Sequence, residues 1–100
     1  MTCGVALGSI GDVGAFSLQL NKLITCGDGG VVVTNNEEIY EKAVRYHDHG
    51  NFRETSLFKI KTKYEPFMGQ VYRMNELSAA VALEQLRKLN KIVSLLFMIG

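Results

Sequence analysis

The residue with the clearest chemical potential in this 100-residue sequence is Lys22, which lies five positions after Ser17. Glycine-rich stretches flank the pair, so the backbone there can turn tightly. A deprotonated lysine can form a Schiff base with an aldehyde cofactor, and a small hydroxyl can hold a phosphate group. Burial would favour the neutral, nucleophilic amine, because the charged form loses solvation. A lone loop lysine is nevertheless most often a solvated surface residue, and the residue types alone favour that interpretation.

Two short strands are predicted on either side of Lys22. The first is Val13–Leu18, and the second is the β-branched run Val31–Thr34, which suits a strand covered on both faces. Cys26–Gly30 carries the glycines that a tight reversal needs, since glycine accepts positive φ at little cost. The sequence therefore predicts a strand, a loop that holds Lys22, and a returning strand.

Two helices are predicted to follow. Thr34–Glu37 fits a capping box, in which the threonine hydroxyl and the glutamate carboxylate each satisfy a free backbone N–H. This helix would end at His49 and Gly50, with Gly50 in the left-handed conformation. The second helix is expected from about Asn75 to Val93, with Asn75 as its N-cap.

Residues 51–71, between the two predicted helices, are polar and irregular. A loop of this length in a compact unit is usually functional or incompletely packed. Its alternating lysines could equally form one solvated face of a short strand. These lysines are Lys59, Lys61 and Lys63.

Composition argues against several classes of protein. The formal charge of +1 gives no long-range field that would favour nucleic acid, and the eleven basic residues are scattered. Two cysteines do not make a disulfide framework, so we expect a reducing compartment, most simply the cytoplasm. The apolar segment Ile92–Ile99 is far shorter than the roughly 20 residues of a membrane-spanning helix. We therefore expect no nucleic acid and no membrane as a partner.

The sequence His47-Asp48-His49 invites a metal-binding interpretation. Histidines two positions apart at a helix end point away from each other, and a metal site normally needs three or more converging ligands. A helix-capping role is therefore favoured, and no metal is expected. Cys26 is interpreted as a small packed residue, because no activating base can be identified for it.

Two sequence blocks carry a family resemblance. The first is Gly11–Ser17, followed by Lys22 and the glycine-rich run Gly27–Thr34, in which Asp28 stands where the family usually has glutamate. The second runs from Tyr72-Arg73-Met74-Asn75 to Leu89. In this order the blocks resemble the DegT/DnrJ/EryC1/StrS aminotransferases, pyridoxal-phosphate enzymes that aminate keto-sugars or cyclic ketones. The resemblance covers about residues 8 to 93.

The resemblance implies an α/β fold, part of the large domain of aspartate-aminotransferase (fold type I) architecture, with pyridoxal 5′-phosphate as cofactor. It implies that Lys22 binds the cofactor covalently and later moves a proton, and that Ser17 donates to the cofactor phosphate. Arg73 and Asn75 would contact the cofactor site of the partner subunit in a homodimer. Asn75 could equally be a plain N-cap, and Arg73 could belong to a surface ion pair.

The resemblance also bears on the reaction and the substrate. Family members with histidine in place of this lysine are dehydratases, so Lys22 favours transamination. The expected substrates are a keto-sugar or cyclitol ketone and an amino donor, glutamine or glutamate. Phe16–Gln19 and Thr25–Gly27 are closer to the branch that aminates cyclitols in antibiotic pathways than to the sugar-nucleotide branch. Gln19 would either shape the substrate pocket or face solvent.

Several parts of the family's catalytic apparatus are not found in the sequence. Residues 1–100 would form part of the large domain, with its N-terminal part and the C-terminal small domain missing. The carboxylate that pairs with the pyridine nitrogen would lie upstream, and the apolar Leu95–Ile99 replaces an expected charged helix continuation. A truncated or frame-shifted reading frame would explain both ends. We therefore expect no turnover from this chain alone; the alternative is a non-catalytic module that dimerises or associates through exposed apolar surface.

Overall fold

The computed structural model describes residues 7–53 and 62–100, and these form two strands and two helices. Two of the three lysines in the expected basic cluster, Lys59 and Lys61, lie outside the described residues. The elements are β1 (Gly14–Ser17), β2 (Gly30–Val33), α1 (Glu37–His47) and α2 (Glu76–Ile99). The chain divides into two compact units: unit 1 takes in Met1–Gly14 and Val33–Arg73, and unit 2 takes in Ala15–Val32 and Met74–Gly100.

The two predicted strands are confirmed, each to within one residue at either end. They pair in a two-stranded sheet, and the backbone N–H of Leu18 donates to the carbonyl of Gly29 at 2.8 Å just beyond the end of β1. Because the end of β1 pairs with the start of β2, the second strand returns antiparallel to the first, as expected. The prediction that both faces of β2 are covered is wrong for the described residues. Val32 is 57% exposed, and the other residues of the strand are exposed as well.

The predicted capping box at the start of α1 is wrong. Asn36, not Thr34, is the N-cap, and its side chain accepts the backbone N–H groups of Glu38 at 2.9 Å and Ile39 at 3.2 Å. The Thr34 hydroxyl instead donates to the carbonyl of Asp12 at 2.6 Å. Asparagine is at least as good an N-cap as threonine, so the later residue takes the cap once Thr34 is engaged elsewhere.

The end of α1 agrees with the predicted left-handed Gly50, whose φ is 83°. His49 also adopts a left-handed φ of 56°, which the sequence did not indicate. A Cβ on Gly50 would lie 1.4 Å from the carbonyl oxygen of Phe67, so the backbone of another segment passes where a side chain would be. The backbone at Gly69 also lies close to Gly50, since a Cβ on Gly69 would lie 2.6 Å from the nitrogen of Gly50.

Two charged side chains of α1 are buried inside unit 1. Glu41 is 2% exposed and Arg45 is 4% exposed, and Arg45 Nε lies 3.0 Å from Glu41 Oε1. The Glu41 carboxylate also accepts the backbone N–H groups of Lys63 at 2.8 Å and Tyr64 at 3.1 Å. Arg45 donates to the carbonyl of Tyr64 at 2.6 Å. The pair therefore attaches α1 to the chain around residue 64. Because these polar groups are buried away from water, they depend on each other for their hydrogen bonds.

Helix α2 begins as predicted and ends later. Asn75 is confirmed as the N-cap, and its side chain accepts the backbone N–H of Ser78 at 2.8 Å. The helix continues past the predicted end at Val93 to Ile99, because the apolar residues there are compatible with a helix and the first strong breaker is Gly100. None of its residues is buried. Neither α1 nor α2 is long and apolar enough to cross a bilayer.

Replacing Gly50 with alanine should destabilise unit 1 by more than about 2 kcal/mol, because the added methyl group would overlap the Phe67 carbonyl and occupy a left-handed backbone. Thermal unfolding of the purified chain measures the effect. Gly11→Ala is the matched control, since a Cβ at Gly11 meets nothing within 4 Å. Equal unfolding midpoints for the two variants would contradict the close approach at Gly50.

The stability of unit 1 should also depend on pH through Glu41. Burial raises the pKa of Glu41, but the N–H groups of Lys63 and Tyr64, together with Arg45, outweigh it and hold the pKa below its ordinary value of 4.5. The folded chain therefore binds fewer protons than the unfolded chain near that pH. The stabilisation is complete above the ordinary pKa and is lost as the pH falls through the lower, folded value.

Thermal unfolding between about pH 6 and about pH 3 checks this dependence. We expect the unfolding midpoint to fall on acidification, and Glu41→Gln to start lower and to fall less. Glu37→Gln, at an exposed position of the same helix, should keep the acid sensitivity of the unaltered chain. A Glu41→Gln variant that is as acid-sensitive as the unaltered chain would show that another group is responsible.

Candidate functional site

Lys22 lies on the loop formed by residues 18–29, here called the lysine loop, which connects β1 to β2 in unit 2. The loop is tied at its base by Leu18, a hydrophobic residue that is only 5% exposed. The Leu18 carbonyl accepts the hydroxyl of Thr25 at 2.9 Å and the backbone N–H of Cys26 at 3.0 Å. Its own N–H donates to Gly29. One buried residue therefore closes the loop from both sides.

Three polar side chains of this segment each accept the backbone N–H two residues further along the chain. Ser17 Oγ accepts from Gln19 at 3.3 Å, and Gln19 Oε1 accepts from Asn21 at 3.0 Å. Thr25 Oγ1 accepts from Gly27 at 3.0 Å, and Gly27 has a left-handed φ of 91°. Such bonds fix local turns without secondary structure.

Gln19, expected either to shape a substrate pocket or to face solvent, also has a role within the loop. It is half-buried, and its side chain holds the backbone of the lysine loop at Asn21. Its carbonyl accepts the backbone N–H of Lys22 at 2.9 Å, which closes a turn over residues 19–22. Gln19 therefore fixes the turn from which the lysine side chain extends.

Lys22 is exposed, which is the environment that the residue types alone favoured. Within residues 7–53 and 62–100, no hydrogen bond or ion pair engages its side-chain nitrogen. The backbone of Lys22 is thus fixed while its amine is left accessible. An accessible amine on a constrained backbone is what covalent attachment to an aldehyde requires.

Ser17 is exposed at the end of β1, in the same unit as Lys22. Its oxygen accepts the N–H of Gln19, so the hydroxyl hydrogen is still available for donation. The structure therefore brings an amine and a hydroxyl donor onto one constrained segment. This donor set fits pyridoxal phosphate, whose aldehyde matches the amine and whose phosphate matches the hydroxyl.

Arg73 lies in unit 1, and the structure shows it in the ion pair that was the alternative to a cofactor contact. Its Nε is 3.3 Å from Oδ1 of Asp48, and its side chain is 43% exposed. Asp48 is itself buried and also pairs with Arg53 at 2.6 Å. Contact of Arg73 with a partner subunit stays a prediction.

The residues around His47 are engaged within the chain. The Nδ1 atom of His47 lies 2.5 Å from the carbonyl oxygen of Val44, and Asp48 is held by two arginines. No group of three His, Cys, Asp or Glu side chains in the described ranges is arranged to hold a metal ion. Cys26 is a half-exposed free thiol whose sulfur lies 3.5 Å from the carbonyl oxygen of Asp28.

Sequence reasoning missed the part played by Thr25. Its hydroxyl both donates to Leu18 and accepts from Gly27, and so closes the loop around Lys22. The available signal was a threonine two residues before a glycine, which is typical of a side-chain-closed turn. The bond to Leu18 spans seven positions, and no local pattern predicts it.

Comparison with known proteins connects these features to one family. Residues 2–95 match the model of the DegT/DnrJ/EryC1/StrS aminotransferase family. The GDP-perosamine synthase of Vibrio cholerae is 36% identical over 90 residues, which is 90% of this chain and 23% of that protein. The L-glutamine:2-deoxy-scyllo-inosose aminotransferase of Streptoalloteichus tenebrarius is 34% identical over 92 residues, covering 88% of this chain and 22% of that protein.

A solved structure supports the fold. The GDP-4-keto-6-deoxy-D-mannose-3-dehydratase of E. coli, with bound hydrated PLP, matches with a TM-score of 0.74 at 28% identity. The match covers 92% of this chain and 26% of that one. The chain therefore spans about a quarter of the proteins that it resembles, and within that span it has the α/β architecture of the fold type I enzymes.

The capping role of Asn75 can be separated from any other role by substitution. Asn75→Ala should destabilise unit 2 by about 1 kcal/mol, because the N–H of Ser78 loses its acceptor. Asn75→Ser should recover most of the loss, since serine caps nearly as well. Chemical denaturation of both variants measures the difference. If serine gave no recovery, the amide would have a function other than capping.

Proposed function

Because this chain belongs to the DegT/DnrJ/EryC1/StrS aminotransferase family, whose members use pyridoxal phosphate, we propose that it forms part of the cofactor-binding domain of an aminotransferase. The observation that carries the proposal is the lysine loop. It fixes the backbone of Lys22 by hydrogen bonds on both sides and leaves the amine accessible. Ser17 contributes a hydroxyl donor on the same segment.

The roles of these residues follow from their chemistry. Lys22 would hold the cofactor covalently, and Ser17 would hold its phosphate. When bound, pyridoxal phosphate would supply an aldehyde that condenses with an amine, releasing water, and a ring that accepts the electron pair left when a proton leaves the carbon next to the amine nitrogen. The amine of Lys22, when free, would also be the base that takes a proton during the reaction and returns it. The turn closed by Gln19 fixes the backbone from which that amine extends.

The proposed substrate is a keto-sugar or a cyclic ketone, and the proposed amino donor is glutamine or glutamate. Support comes from relatives named for both classes, a GDP-perosamine synthase and a glutamine-dependent inosose aminotransferase, at similar identity. The sequences around Ser17 and Thr25 favour the cyclitol class. An inosose is therefore the first ketone to test.

Dehydration is the second candidate reaction, because several structural neighbours are 3-dehydratases. In a dehydratase of this kind, the residue at position 22 would not hold the cofactor covalently. The family resemblance associates dehydratases with histidine at this position, and this chain has lysine. Lys22 therefore favours transamination.

We further propose that the complete protein is a cytoplasmic homodimer that acts on small molecules, with neither nucleic acid nor membrane as a partner. In this proposal Arg73 and Asn75 face the cofactor site of the partner subunit. The half-exposed side chain of Arg73 is compatible with such a contact. The free thiol of Cys26 is compatible with a reducing compartment.

The isolated chain is proposed to lack turnover, because the carboxylate that supports the pyridine nitrogen is not identified in it. The alternative function is association without catalysis. It is supported by exposed apolar side chains near the end of α2, where Phe97 is 75% exposed and Ile99 is 84% exposed.

The reaction is tested in the complete protein by loading it with pyridoxal phosphate and measuring amination of 2-deoxy-scyllo-inosose, then of GDP-4-keto-6-deoxy-D-mannose, with glutamine as donor. Lys22→Ala should lower turnover at least about 1,000-fold, because it removes both the attachment point and the base. Lys22→His should also abolish amination.

The matched control is Lys88→Ala, which removes an exposed lysine of α2 and should leave turnover within about twofold. Full activity in Lys22→Ala would refute the assignment of the cofactor lysine. Turnover by the 100-residue chain alone would refute its proposed inactivity.

A further inference from the structure

We propose that Thr25 is a positioning residue for Lys22: its hydroxyl closes the lysine loop and so determines where the lysine amine is presented. The inference rests on the proposed function, because it takes Lys22 as the cofactor lysine. In this role Thr25 need not contact the cofactor or the substrate. It acts through the backbone that carries Lys22.

Both hydrogen-bonding functions of the Thr25 hydroxyl are used inside the loop. Its hydrogen is donated to the carbonyl of Leu18 at 2.9 Å, and its oxygen accepts the N–H of Gly27 at 3.0 Å. The Leu18 end of this connection is fixed by burial, since Leu18 is 5% exposed. The hydroxyl therefore joins the turn at Gly27 to the most constrained point of the loop.

This closure limits the freedom of Lys22. The segment from Gln19 to Ile24 lies between Leu18 and Thr25, the two residues that the hydroxyl bond joins. Closing so short a loop lowers the conformational entropy of the segment. Inside the segment, the N–H of Lys22 is bonded to the Gln19 carbonyl, and the N–H of Gln19 is bonded to Ser17. The closed loop therefore fixes the backbone of Lys22 relative to Ser17, and so limits the positions that the amine can reach. A displacement of about 1 Å at a reacting group can cost about 100-fold in rate.

Loss of the hydroxyl should loosen the loop without unfolding it. In Thr25→Val the Leu18 carbonyl keeps its bond from the N–H of Cys26 at 3.0 Å, so no buried acceptor is left unpaired. The N–H of Gly27 is on an exposed residue and can bond to water. Thr25→Ser keeps the hydroxyl and should behave as the unaltered protein does.

Thr34 provides a matched control, because its hydroxyl is bonded in the same way in unit 1. It donates to the carbonyl of Asp12 at 2.6 Å and accepts the N–H of Asn36, two residues on, at 3.0 Å. Thr34→Val therefore removes an equivalent pair of bonds outside the lysine loop. A purely structural effect of losing a threonine hydroxyl would appear in both variants.

The first measurement is amide hydrogen exchange of Gly27 and Lys22 in the 100-residue chain, which requires no cofactor. Thr25→Val should accelerate exchange at both amides by about tenfold or more, while Thr25→Ser and Thr34→Val should leave both rates near those of the unaltered chain. The second measurement is steady-state kinetics of the complete protein loaded with pyridoxal phosphate. Thr25→Val should lower kcat about tenfold or more, with KM for the ketone changed less, and Thr25→Ser should restore kcat.

Three results would overturn the inference: unchanged exchange and kcat in Thr25→Val, an equal loss of kcat in Thr34→Val, or unprotected Gly27 and Lys22 amides in the unaltered chain. Failure of the proposed function gives a different pattern, in which Lys22→Ala keeps full turnover. In that case the exchange rates still decide whether Thr25 fixes the backbone of Lys22.

Discussion

The Leu18 carbonyl is the acceptor on which the lysine loop depends. It receives the Thr25 hydroxyl and the Cys26 N–H, while the N–H of the same residue reaches Gly29. These bonds draw the two ends of the loop to one buried residue, and the chain between them has little room to move. A catalytic lysine on a flexible backbone would lose much of its advantage to entropy, whereas a lysine on a closed loop begins with few backbone conformations.

Polar contacts, more than an apolar core, hold the described residues together. Unit 1 is organised by the buried pair of Glu41 and Arg45 and by Asp48, and each of these side chains is bonded to charged or backbone groups. Such groups are costly to bury unless every partner is in place, so they specify one arrangement of the backbone. Leu18 is the buried hydrophobic residue of the described ranges, and many other large apolar side chains there are exposed. Exposed apolar surface of this extent is typical of surfaces that bind other protein.

Local sequence signals predicted the local structure well. The strands flanking Lys22, the Asn75 cap and the left-handed Gly50 each follow from the preferences of a few adjacent residues. The capping box failed because Thr34 bonds to Asp12, 22 positions away, and Asn36 then caps the helix. Burial of Glu41 was not foreseen either, because its backbone partners lie 22 and 23 residues further on. Contacts of that range depend on the tertiary fold, and periodicity does not encode them.

The family resemblance added the chemistry, since a lone lysine between glycines is ordinarily a surface residue. The proposed function depends above all on the amine of Lys22 carrying the cofactor. The most direct measurement is to reduce the complete protein with borohydride in the presence of pyridoxal phosphate and to locate the modified residue by peptide mass spectrometry. The account predicts the cofactor mass on the peptide that contains Lys22. Modification of a different lysine, or of none, would contradict it.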